Sequence, residues 1–182
     1  LAQLVSQLLD ISRLDGGWLV LERHETDVAT LVRHVVAVVQ LTAPRHTLTV
    51  RADQPVEAFV DPLRLEQVVA NLLDNAIKFS LEGGAIEVDV AAEGHENLSL
   101  TVRDHGIGIP AEHRQRIFDR FYRAHAGNSF GGLGLGLYIS RRIVELHGGQ
   151  IVVEYPQDGG TRFVVHMPLG RHTSVKPAEG VN

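Results

Sequence analysis

Cysteine is absent from the 182 residues, which excludes disulfides and thiolate metal sites and suits a reducing compartment. Lysine occurs only at Lys78 and Lys176 while arginine is plentiful, a bias that reads as genomic base composition. A basic excess is missing too. Lys and Arg total 17 against 22 Asp and Glu, a formal net charge of −5, which argues against a general nucleic-acid binder. No apolar run approaches the roughly 18 residues that a membrane-spanning helix needs, and no signal peptide is visible. The opening "LAQLVSQLLDISRL" has no initiator Met, so the chain is expected to be a piece of a longer protein. What is present is a 44% hydrophobic content, enough for a real core in one domain and part of another.

The stretch "GGLGLGLYIS" (131–140) places Gly131, Gly132, Gly134 and Gly136 within six positions, directly before a helical pattern. Each glycine costs a helix about 1 kcal/mol relative to alanine. Two readings are open from these ten residues: a flexible loop, or a phosphate cradle of bare N–H groups at a helix N-terminus.

Leu1, Leu4, Val5, Leu8 and Ile11 make one apolar stripe on a helix over residues 1–14, ended by "DGG". Trp18 to Arg23 predicts a short strand. Thr26 or Asp27 caps a helix carrying Val28, Leu31, Val32, Val35, Val36 and Val39. Residues 48–52 and 56–60 predict two strands around a "DQP" turn. Asp61 followed by Pro62 is the clearest helix start in the chain, with Leu65, Val68, Leu72 and Ala76 as the core face. Residues 86–90 and 98–102 alternate as strands. Residues 105–131 read as a mobile loop with a short helix near 112–119. A helix then runs to about Leu146, stopped by "HGG", and residues 151–155 and 162–167 close as a hairpin. The tail, 170–182, is expected to be disordered. Helices and strands mix without strict βαβ alternation. The expected fold class is therefore α+β, a two-layer α/β sandwich with a mixed sheet and a helical layer, preceded by a separate helix.

Asn71, Asn75 and Lys78 lie at i, i+4 and i+7 of the Asp61 helix and share a face at the edge of its apolar stripe. Asparagine gains nothing inside a helix unless its amide is used. Asp104 continues the inward row of Leu98, Leu100 and Val102, and a carboxylate there must be paired, hydrogen-bonded or protonated. "GIGIP" (106–110) follows, where the chain turns and can pass close to a ligand. Thr161 shares a row with Phe163, Val165 and Met167, so its hydroxyl also points inward. These groups suit one small polar ligand: an adenine amino group for the carboxylate, a divalent metal and phosphates for the asparagines, the lysine and the glycines.

In order, "NLLDNAIKFS", "DHGIGIP", "RIFDRFYRA" and "GGLGLGLYIS" resemble the N, G1, F and G2 boxes of sensor histidine kinases. The ATP-binding domain of those kinases belongs to the GHKL superfamily, with the Bergerat fold. The resemblance runs from about residue 20 to 169. It implies a catalytic ATP-binding domain over 18–169, while residues 1–15 resemble the end of the dimerisation and phosphoacceptor helix. It also implies roles residue by residue. Asn75 matches the Mg²⁺ ligand, Asn71 its companion one turn earlier, and Lys78 the basic residue facing the phosphates. Phe79 falls where an aromatic packs near adenine. Asp104 matches the acceptor for the adenine amino group, Gly106, Gly108 and Ile109 shape the turn, and Thr161 falls beside that aspartate. Phe118, Phe121 and Arg123 match the F box, with the arginine reaching the terminal phosphate. Gly132, Leu133, Gly134, Leu135 and Gly136 match the loop under the phosphates, although Leu133 replaces a frequent Thr or Ser. His105 replaces a frequent Asn. His113 and His125 fall in the lid and read as solvated rather than metal-bound.

The implied function is transfer of the γ-phosphoryl of Mg²⁺-ATP to a histidine upstream of this chain, for relay to a response regulator. The implied catalytic set is Asn71, Lys78 and Arg123. The implied partners are the protein's own phosphoacceptor domain, a response regulator and a second copy in a full-length homodimer. Neither nucleic acid nor membrane contact is expected of this segment. The expected location is cytoplasmic, with a membrane-bound parent open at family level. The alternative is a GHKL-type ATPase clamp or a nucleotide-binding module without kinase activity. Asn71 discriminates, because hydrolytic relatives carry a glutamate there and an amide cannot act as a general base.

Overall fold

The structure, a computed structural model, describes residues 2–124 and 132–170. Leu1, His125, Gly131 and the tail from 171 onward lie outside the described residues, so the expectations for them are not addressed. The elements in chain order are α1 (Ala2–Asp15), β1 (His24–Asp27), α2 (Val28–Gln40), β2 (His46–Arg51), β3 (Glu57–Val60), α3 (Pro62–Phe79), β4 (Gly84–Glu93), β5 (Asn97–Asp104), a 3₁₀ turn (Ala111–His113), α4 (Gly136–Leu146), β6 (Gln150–Glu154) and β7 (Thr161–Pro168).

Five strands form a mixed sheet in the order β2-β4-β5-β7-β6, with β2 parallel to β4 and the other pairs antiparallel. The inward rows of β4, β5 and β7 are buried at Ile86, Val88, Leu98, Leu100, Val102, Val165 and Met167. They form one core with Leu65, Val68, Leu72 and Leu73 of α3 and Ile139, Ile143 and Val144 of α4. Fully burying one such aliphatic side chain contributes roughly 1.5–3 kcal/mol. This helical layer on one face of a mixed sheet is the expected α+β sandwich.

Local signals explain the helix starts. Asp27 is extended (φ −74°, ψ 99°) and accepts from the Ala29 N–H to cap α2. Asp61 is likewise extended (φ −82°, ψ 105°). Its Oδ1 accepts from Arg64 N–H at 3.1 Å, and Pro62 takes the first helical position, where a missing N–H costs nothing.

Two expectations are corrected. Residues 18–23 form no strand: Trp18 and Val20 face solvent and Leu19 is buried, so the alternation is real, yet pairing begins only at His24, where β3 supplies a partner. Around "DQP" both expected strands form, β2 over His46–Arg51 and β3 over Glu57–Val60. β2 joins the main sheet, whereas β3 pairs antiparallel with β1 in a separate two-stranded ribbon. The short helix near 112–119 is instead a 3₁₀ turn followed by stepped i→i+3 bonds from Arg116 to His113, Asp119 to Arg116 and Tyr122 to Asp119.

Candidate functional site

The C-terminal end of β5, the middle strand, opens into a cavity of about 410 Å³ walled by α3, the glycine-rich segment and the first turn of α4. Asp104 closes the inward row of β5 and is 4% exposed; Thr161, opposite it on β7, is 4% exposed. Asp104 Oδ1 accepts from Gly106 N–H at 2.9 Å and from Thr161 N–H at 3.2 Å. Burial pushes the carboxyl above its usual range. The two N–H donors, and more weakly Arg103 and His105, oppose the rise. Arg103 is itself buried and donates to the Asp104, Thr161 and Gly159 carbonyls and to the Asp158 carboxylate. It therefore ties the end of β5 to the β6–β7 turn that carries Thr161.

On α3, Asn71 Nδ2 donates to the Gly136 carbonyl and to Ser140 Oγ, both at 3.3 Å, fastening α3 to the start of α4. Asn75 Nδ2 donates to the Asn71 carbonyl at 3.0 Å, which turns its Oδ1 away from that bond. An amide oxygen so presented fits a hard cation that takes few protein ligands and completes its shell with phosphate oxygens and water. Lys78 Nζ lies so close to Gly132 that a Cβ there would sit 2.9 Å from it. At the start of α4, beside the cavity, the residue in the cap position, Leu135, makes no side-chain capping bond.

Two glycines are required by close approach. A Cβ on Gly106 would lie 2.2 Å from the Phe79 carbonyl oxygen. One on Gly134, at φ +70°, would lie 2.5 Å from the Tyr122 carbonyl oxygen. The first joins the turn after β5 to the end of α3. The second packs the glycine segment on the 121–122 backbone.

Most sequence-derived candidates line this cavity: Asn71, Asn75, Lys78, Phe79, Asp104, Gly108, Ile109, Arg123, the 132–136 segment and Thr161. Gly106, Phe118 and Phe121 do not. Gly106 shapes the turn from behind. The Phe118 ring meets Phe163 edge-on at 6.4 Å between centroids, and Phe163 is the ring that reaches the cavity. Phe121 has φ 60° and is 59% exposed, and this turn sends the next aromatic, Tyr122, into the wall instead. Tyr122 Oη is 2.6 Å from His113 Nδ1, and Arg116 lies over its ring at 4.3 Å. Sequence reasoning missed Tyr122, Asp74 and Gln7. The i+3 position after Asn71 pointed to Asp74. Nothing local in the sequence places Gln7 of α1 against this cavity.

The family model described as "Histidine kinase-, DNA gyrase B-, and HSP90-like ATPase" matches residues 60–171. Sensor histidine kinase RcsC of Escherichia coli (strain K12) is 35% identical over 190 residues, covering 100% of this chain and 20% of RcsC. Signal transduction histidine-protein kinase AfsQ2 of Streptomyces coelicolor is 36% identical over 169 residues, covering 92% of this chain and 30% of AfsQ2. The chain thus spans less than a third of the length of either relative. Among solved structures, the mycobacterial sensor histidine kinase MprB superposes with TM-score 0.73 at 30% identity, covering 80% of this chain and 97% of that one. Full-length ShkA in complex with AMPPNP superposes with TM-score 0.76 at 28% identity, covering 91% of this chain and 35% of that one.

Proposed function

Because this chain belongs to the family of histidine kinase-, DNA gyrase B- and HSP90-like ATPases, we propose that it is the catalytic domain of a sensor histidine kinase. In this reading it binds Mg²⁺-ATP and presents the γ-phosphoryl to a histidine on a phosphoacceptor domain, from which a response-regulator aspartate takes it. Residues 18–169 form the catalytic domain. α1 is the end of the helix that carries the acceptor domain and pairs with a second copy in the whole protein. The reading places the domain on the cytoplasmic side, where ATP is. No helix among the described residues is long and apolar enough to cross a membrane.

One observation carries the reading: a buried carboxylate, an amide pair, a lysine and a helix start surround a single cavity. Asp104 accepts from the adenine amino group through the oxygen that its backbone donors leave available. Asn75 holds the cation, whose chemistry is to neutralise phosphate charge and fix phosphate geometry. Lys78 and the α4 N–H groups bind phosphate oxygens, and Arg123 meets the terminal phosphate. Catalysis is positioning and charge neutralisation.

Asn71 favours kinase over hydrolytic clamp. Its amide donates to Gly136 and Ser140, and an amide takes no proton from water. Calorimetric binding of ADP and AMPPNP to this chain, followed by labelling of a separately supplied acceptor domain with radiolabelled ATP, tests the reading. Acid-labile label on the acceptor domain supports it. Rapid phosphate release without label transfer favours the clamp.

A further inference from the structure

Arg64, Gln67, Asn71, Asn75 and Lys78 follow one another on α3 at spacings of three, four, four and three, so they form a single polar stripe. The second half of the stripe lines the nucleotide cavity. The first half grips α1. Asp10 of α1 is 5% exposed, and both its oxygens are taken: Oδ1 by Arg64 Nη1 at 2.8 Å, Oδ2 by Gln67 Nε2 at 2.7 Å. Arg64 Nη1 also donates to Gln67 Oε1 at 2.9 Å, so the three side chains close on one another. A buried ion pair of this kind is weak evidence for stability, but it specifies position, because removing one partner strands the other.

What it positions is Gln7. Gln7 lies three residues before Asp10, on the same side of α1, and lines the nucleotide cavity. Gln7 and Asn71 also line a second hollow of about 660 Å³ between α1, α2 and α3. These two side chains are therefore the wall between the two spaces. Asn71 lies against Gly136 at the start of α4, the end of the cavity assigned above to the phosphates.

We propose that Asp10, Arg64 and Gln67 form a latch that holds α1 where Gln7 narrows the γ-phosphate end of the site, so that docking of α1 and binding of a nucleoside triphosphate compete. The proposal rests on the nucleotide reading of the cavity. Competition is reciprocal: if the latched helix weakens triphosphate binding, triphosphate binding must unlatch the helix by the same factor. A diphosphate does not reach the contested end and is indifferent to the latch.

The absence of cysteine allows a clean test. Spin labels at Leu9→Cys on α1 and Leu63→Cys on α3, both more than half exposed, report the distance between the helices. The labelled chain is expected to give a narrow distribution alone and with Mg²⁺-ADP, and a broad, longer one with Mg²⁺-AMPPNP. Asp10→Asn should broaden it without nucleotide and tighten AMPPNP binding at least about fivefold, with ADP affinity nearly unchanged. Gln7→Ala, which leaves the latch intact and the core untouched, should tighten AMPPNP selectively while the ligand-free distance stays narrow. It also keeps the test decisive if Asp10→Asn does not fold. Equal effects of either substitution on ADP and AMPPNP, or a distance that ignores AMPPNP, would overturn the latch. If no variant bound either nucleotide while Asp10→Asn still released α1, the nucleotide reading would be the part that failed, and the competition with it.

Discussion

Asp104 and Thr161 face each other across the β5–β7 ladder, and the Thr161 N–H donates to Asp104 Oδ1 at 3.2 Å. Gly106 N–H uses the same oxygen. Both backbone donors thus converge on Oδ1, and no described donor reaches Oδ2. The arrangement fixes the carboxylate, keeps it buried and leaves one oxygen to recognise a donor on a ligand.

Asp104→Asn is expected to lower adenine-nucleotide affinity at least about a hundredfold, because its amide nitrogen would face the adenine amino group donor to donor. The ligand-free fold should gain. Burial raises the Asp104 carboxyl above its ordinary value of 3.8, so ionising it costs more in the folded chain than in the unfolded one. Its favourable contribution is present below 3.8 and lost as pH rises through the raised folded value. Asn retains an oxygen for Gly106 and Thr161 without that loss. Melting temperature at pH 7 should therefore rise while calorimetric heat with AMPPNP disappears. Unchanged affinity would remove Asp104 from the site.

Arg123→Ala should leave ADP binding nearly unchanged and slow phosphoryl transfer to an acceptor domain by about a thousandfold, the usual scale for an arginine that meets only the transferring phosphate. Asn75→Ala should abolish the Mg²⁺ dependence of ATP binding. Titrating ADP and ATP with and without Mg²⁺ checks both. Equal loss of ADP and ATP affinity in the Arg123 variant contradicts its role. Arg120, which donates to the Tyr138 hydroxyl on α4 at 2.8 Å, would then be the next candidate.

The parts of the site that were legible in the sequence are those set by local periodicity. Strand parity put Asp104 and Thr161 inward, helical spacing put Asn71, Asn75 and Lys78 on one face, and the Asp61–Pro62 cap fixed where that face begins. What could not be read depends on long-range packing. Phe121 and Tyr122 are adjacent aromatics, and only the positive φ of Phe121, pressed against Gly134, decides which one enters the wall. The strand expected over residues 18–23 does not form, because a ladder needs a partner strand that no local pattern supplies. Gln7 lines the cavity from α1, a helix whose Asp10 pairs with Arg64, 54 residues away.

Gly134→Ala should weaken nucleotide binding and cost at least about 1 kcal/mol of stability. The new methyl meets the Tyr122 carbonyl oxygen at 2.5 Å, and the backbone sits at φ +70°, where alanine is strained. Urea unfolding alongside nucleotide titration measures both. An unchanged midpoint would mean that the 121–122 backbone yields readily, and that the glycine segment is not held by it.

The last prediction concerns pH and lies away from the cavity. His147 ends α4, is buried and joins two helices. Its Nδ1–H donates to the Ile143 carbonyl at 2.8 Å, and its Nε2 accepts from the Asp61 N–H at 3.0 Å. Asp61 caps α3, and its Oδ2 accepts from Glu22 N–H, so one imidazole links the end of α4, the start of α3 and the segment after α1. That pattern needs the neutral ring with its proton on Nδ1. Protonating Nε2 would set two donors against each other. Burial pushes the His147 pKa below 6.5, Arg23 adds to the fall, and the Ile143 bond and Asp61 oppose it. A folded value below the unfolded one means that the stabilisation is complete above 6.5 and is lost as pH falls toward the folded value, where the native ring also takes its proton. Urea unfolding between pH 7.5 and roughly 5 should show stability falling with pH. His147→Gln, which keeps a donor and an acceptor but does not titrate, should flatten that slope at the cost of a lower plateau near neutrality. Parallel slopes in the two proteins would show that His147 does not couple these helices to pH.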